Sequence, residues 1–172
     1  ACRANGVHRV GGAIQGRGVR ACDVRTVPVG SLACGGQKWL LSPWGSGFCY
    51  VRKELRPGLQ PPVVGWTAYR GMDDYSNLLC YGDRLLDDAR RFEVSSLATQ
   101  DHLGLTTSIG LLLELGVDAI ARYLHALGRP VLAWAERRGV AVVSPTDEVH
   151  RSQIVCVAPP DAKEAHRRLR QA

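Results

Sequence analysis

Apolar positions recur in two rhythms along the chain. From Gln100 onward, Leu103, Leu105, Ile109, Leu112 and Leu113 fall at helical spacing, and Gly116 stands where a helix-terminating glycine belongs, so a helix is predicted over residues 100–115. A second helix is predicted from Asp118, read as its N-cap, through Ile120, Leu124 and Leu127. Gly128 and Pro130 interrupt or kink it before the pattern resumes in VLAWAERRG and stops at Gly139. Shorter apolar runs at residues 7–10, 31–34, 47–52, 140–143 and 153–158 read as strands, and Pro159, Pro160 and Asp161 open a last helix. Residues 57–62 are dominated by proline and glycine, and residues 65–84 are polar and irregular, which predicts an excursion over the surface. Strands and helices alternate at both ends, so an α/β architecture is expected.

At 172 residues the chain has length for one domain, or one plus a fragment. Its longest apolar run, residues 109–113, is far too short to cross a bilayer, so no membrane span is expected. The formal net charge is +6, but the arginines are dispersed; the only dense cluster, HRRLR near the end, reads as the solvated face of the last helix. Nucleic acid is therefore not an expected partner. Six cysteines (Cys2, Cys22, Cys34, Cys49, Cys80 and Cys156) show no CxxC or Cys/His ligand spacing, which argues against zinc and a disulfide framework and for reduced packing residues. With no initiating Met and no signal-like segment near Ala1, the chain reads as an incomplete piece of a cytoplasmic protein.

The candidate chemistry centres on Lys38 in ACGGQKWLLSPWGSGFCYVR. Two glycines before it allow backbone to approach a ligand, and the Trp-Leu-Leu after it would desolvate the amine, which lowers a lysine's pKa and makes it a nucleophile. Upstream lies GGAIQGRG, with Gln15 and Gly18. These two stretches, at their separation, resemble the class V aminotransferases, the pyridoxal-phosphate (PLP) group that includes cysteine desulfurases, selenocysteine lyases and isopenicillin-N-epimerase-like proteins. ARRFEVSS followed by LGLTTSIGLLLELG is similar to that family's Arg-Phe-Glu-x-Gly-Thr region before a long helix.

The resemblance implies a partial PLP-dependent transferase fold of the aspartate aminotransferase type. Residues 1–115 would be the C-terminal part of the large, PLP-binding domain, and residues 116–172 the start of the small domain. It implies Lys38 as the Schiff-base lysine, Gln15 beside the cofactor ring, Gln37 on the phosphate side, and Ser96 reaching the phosphate of a neighbouring subunit's cofactor across a homodimer. The substrate would be an amino acid. Arg151 fits a small-domain strand motif and reads as structural. Two departures stand out: the family's aspartate, which holds the pyridine nitrogen protonated, falls on Gly12, and Gly35 replaces a phosphate-binding serine. The alternative expectation is a non-catalytic remnant of the same fold, acting as a structural or partner-binding module.

Overall fold

The computed structural model describes residues 5–77 and 82–172, so Cys2 and Cys80 lie outside the described residues. The chain divides into two compact units, Ala1–Glu114 and Leu115–Ala172.

In the first unit a three-stranded sheet is formed by β1 (Val10–Gly12), β2 (Ser31–Gly35) and β3 (Gly47–Val51), in that spatial order. β1 runs parallel to β2 with Gly12 opposite Ala33, and β2 runs antiparallel to β3 with Ala33 opposite Cys49. The first strand thus lies later than the apolar run at residues 7–10 suggested. Its glycine pair, which read as loop, is strand, because pairing with β2 supplies hydrogen bonds that local composition cannot announce. The ladder continues one step further, with the Ala13 amide donating to the Ala33 carbonyl at 2.8 Å.

β2 buries Leu32 and Cys34 on one face and exposes Ala33 on the other, the period-two alternation of a pleated strand. α1 (Thr99–Leu115) buries Leu105 and Leu112. Contacts at two glycines fix its approach. A Cβ on Gly104 would lie 2.8 Å from Pro43 Cγ, and one on Gly18 would lie 3.3 Å from Leu112 Cδ1. α1 is apolar on several sides, however: Leu103, Leu111 and Leu113 are exposed.

Between β3 and α1 the chain makes short 3-10 turns at Lys53–Gly58, Trp66–Ala68, Tyr75–Asn77 and Ala89–Phe92, which matches the expected irregular excursion. The turn at Trp66–Ala68 is tied to the segment before α1, since a Cβ on Gly65 would overlap the Val94 backbone.

The second unit holds α2 (Val117–Arg138), a two-stranded antiparallel pair β4 (Ala141–Val142) and β5 (Val157–Ala158), and α3 (Ala162–Gln171). α2 runs through Gly128 and Pro130 without ending, and its N-cap is Gly116, with Asp118 in the first turn. Gly139 closes it in the left-handed conformation at φ 63°, its amide donating to Glu136 and that of Val140 to Ala135. α3 is capped by Asp161, whose carboxylate accepts from the Glu164 amide at 3.0 Å. Arg151 is buried, and its amide donates to the Asp147 carbonyl at 3.0 Å.

Candidate functional site

Parallel pairing of β1 and β2 brings the two stretches singled out in the sequence to the same end of the sheet. β1 ends at Gly12 and turns through residues 13–19, which carry Gln15; β2 ends at Gly35 and turns through residues 36–46, which carry Gln37 and Lys38. The carboxyl ends of parallel strands in α/β sheets are where ligands are generally received.

The two turns touch. Gly18 has φ 93°, and a Cβ there would overlap the carbonyl of Trp39, the residue after Lys38. Gln37 folds back toward β1: a Cβ on Gly35 would lie 2.5 Å from Gln37 Oε1 and 3.0 Å from Ile14 Cδ1, the neighbour of Gln15. The Gln37 carboxamide therefore fills the space that a side chain at position 35 would take. Lys38 and Gln15 are exposed at this end, while Leu40, two residues beyond the lysine, is buried and anchors the turn.

The Lys38 turn is internally bonded. The Leu41 amide donates to the Lys38 carbonyl at 3.1 Å, and Leu41 sits at φ 55°, a left-handed conformation unusual for a branched residue. Ser42 and Ser46 are buried and their hydroxyls meet at 2.5 Å.

Beneath the site, Arg17 lies half-buried beside Cys34. Burial holds the guanidinium below its ordinary pKa, and burial pushes the Cys34 thiol up while the positive charge of Arg17 opposes that rise. Neither this pair nor the buried serines carried a signal in the sequence reading. Spacing cannot tell a buried polar side chain from a solvated one.

Ser96 is exposed on the segment leading into α1, two residues beyond Val94. The first turns of that helix reach the far side of the Lys38 loop, since Asp101 Oδ2 lies 3.6 Å from where a Cβ on Gly45 would sit. Ser96 is thus placed on a separate segment from Gln15, Gln37 and Lys38.

The residues present suit PLP on one side and not on the other. A lysine and two carboxamides, residue types able to form an imine and to face an anion, sit on the two touching turns. Gly12, where the resembling family carries its aspartate, is exposed, and a Cβ there meets nothing within 4 Å. The backbone could carry a side chain at that point, and the sequence supplies none. Among the described residues no group of three or more His, Cys, Asp or Glu side chains could hold a metal ion, and no single helix is long and apolar enough to cross a membrane.

Comparison with known proteins agrees with the geometry. Residues 1–167 match the family model described as aminotransferase class-V. An uncharacterized aminotransferase of Schizosaccharomyces pombe is 29% identical over 153 residues, covering 87% of this chain and 38% of its own length. A probable cysteine desulfurase of Pyrococcus abyssi is 28% identical over 110 residues, covering 64% of this chain and 26% of its own. Among solved structures, the apo cysteine desulfurase of Thermococcus onnurineus NA1 superposes with a TM-score of 0.82 at 22% identity, covering 98% of this chain and 41% of that one. The chain thus spans well under half the length of these relatives, and it has the fold of the corresponding part of the PLP-dependent transferases.

Proposed function

Because the chain belongs to the class V aminotransferase family, a PLP-dependent group, we propose that it is the cofactor-lysine portion of an enzyme acting on an amino acid, with Lys38 as the Schiff-base lysine. The observation that carries this reading is the meeting of the Lys38 turn with the Gln15 turn at the carboxyl ends of two parallel strands. PLP, when bound, supplies the electron-withdrawing ring that makes the substrate's Cα–H acidic.

The chain's own residues have separable tasks. Lys38 would hold the cofactor covalently through Nζ, and when free its Nζ would be the group to take and return the substrate's Cα proton. Gln15 would donate to the ring's phenolic oxygen, and Gln37 would offer its amide N–H groups on the phosphate side. Ser96 would serve the cofactor of a partner subunit in a homodimer. Gly12 offers no carboxylate to the ring nitrogen.

That last point favours a second reading: a PLP-fold module without catalysis of its own. Both readings are tested by titrating the purified chain with PLP and following visible absorbance. An enzyme-like site gives a saturable visible band that Lys38→Ala abolishes. A non-catalytic module gives no band beyond that of free PLP, in either chain.

A further inference from the structure

We infer that Ser42 and Ser46 are positioning residues for Lys38, acting through Gly36. This rests on the reading of Lys38 as the cofactor lysine and adds to it how the chain fixes that lysine without the rest of the fold.

Gly36 is the pivot. Its amide donates to the Ser46 carbonyl at 2.8 Å, and its carbonyl accepts from the Ser42 amide at 3.0 Å. The loop that carries Lys38 is therefore closed through both peptide groups that flank one residue. The two buried serine side chains fill the space above it. A Cβ on residue 36 would lie 2.7 Å from Ser46 Oγ, 2.8 Å from Ser42 Cβ and 3.0 Å from Ser42 Oγ, so only glycine permits the approach.

Proton accounting makes the two hydroxyls unequal. Ser46 Oγ donates to the Pro43 carbonyl at 2.7 Å, which uses its single proton. In the 2.5 Å contact between the hydroxyls, Ser42 must then be the donor and Ser46 the acceptor. Ser46→Ala removes two hydrogen bonds and leaves the buried Ser42 proton without its partner, while the Pro43 carbonyl keeps only the Ser46 amide at 3.4 Å. Ser42→Ala removes one donor and leaves the Ser46–Pro43 bond intact. Loss of a partner that strands a buried polar group is the more damaging of the two.

A second observation shows that the loop is held rather than relaxed. Leu41, three residues after Lys38, keeps a left-handed φ of 55° while its side chain is 62% exposed. Side-chain burial does not account for that conformation. The closure of the loop at Gly36, one residue to either side of the turn at residues 37–41, does.

The experiment uses the full chain and two readouts. Amide hydrogen exchange at Gly36 and Ser42 reports the clamp itself, with no cofactor present. Borohydride trapping of added PLP, followed by peptide mapping, reports the share of pyridoxyl label on Lys38 relative to Lys53 and Lys163, the other two lysines, both exposed. Both are measured at a temperature where circular dichroism shows wild type, Ser46→Ala and Ser42→Ala equally folded, and the label is followed against pH. We expect exchange at both amides to accelerate about tenfold in Ser46→Ala, with a similar fall in the Lys38 share and a shifted pH midpoint, and less than about threefold changes in Ser42→Ala. Should Ser46→Ala not fold, the inequality is read from Ser42→Ala against wild type, where the smaller change is required. Unchanged exchange overturns the clamp, and faster exchange with an unchanged Lys38 share overturns the positioning role. A wild-type chain with no preference for Lys38 overturns the cofactor reading and this inference with it.

Discussion

Replacing Gly18 by Ala tests the contact that joins the two halves of the site. Two independent costs arise. The backbone at φ 93° lies where an L-residue is strained, at roughly 1–2 kcal/mol. The added methyl would also overlap the Trp39 carbonyl, which is backbone and cannot rotate away, and would press on Leu112 Cδ1 at 3.3 Å. Overpacking of this kind costs about 1–3 kcal/mol. Together the expected loss is about 2–5 kcal/mol, a large part of the roughly 5–15 kcal/mol that holds a typical domain together. Gly12→Ala is the matched control: φ there is not left-handed and the methyl meets nothing within 4 Å, so stability should stay within about 0.5 kcal/mol of wild type. Urea unfolding followed by tryptophan fluorescence is the assay. Trp39 adjoins the perturbed contact, and three of the four tryptophans, Trp39, Trp44 and Trp66, belong to the first unit. Equal midpoints for Gly18→Ala and wild type, or equal losses in both variants, would refute the packing argument.

The Asp23 carboxyl accepts from the Arg25 side chain and amide and is held at about 2, down from 3.8. Its stabilising contribution is therefore full above the unfolded value and fades as pH falls toward 2; NMR titration should place the midpoint near there and return it toward 3.8 in Arg25→Ala. Asp161→Ala removes the α3 cap and should cost that helix about 1 kcal/mol, read as faster exchange of the Glu164 amide. Cys34 is 4% exposed and its thiol is pushed up by burial, so Cys49 and Cys156 should react with a thiol reagent first, and Cys34 only on unfolding. Gly12→Asp adds a carboxylate where a Cβ meets nothing within 4 Å, and should change stability by less than about 1 kcal/mol while tightening PLP binding about tenfold.

Much of the architecture was written in local pattern. The helical spacing from Leu103 to Leu112 gives α1, and Pro159, Pro160 and Asp161 mark the start of α3. β1 was displaced because its glycines signal a turn locally, and only the parallel partner β2 makes them strand. α2 continues past Pro130 although that residue denies the Ala126 carbonyl its usual donor, because the helix is favourable on either side. Within the site, the adjacency of the Gln15 and Lys38 turns follows from strand pairing, which the motif separation could suggest but not require. The Ser42–Ser46 pair and the Arg17–Cys34 pair depend on loop closure and burial. Serine, arginine and cysteine in a loop carry no mark of either.

The most direct test of the account is the peptide map of the wild-type chain after PLP addition and borohydride reduction. The account requires the pyridoxyl label on Lys38, in clear excess over the exposed Lys53 and Lys163. Label spread evenly over the three lysines, or absent from Lys38, would contradict it.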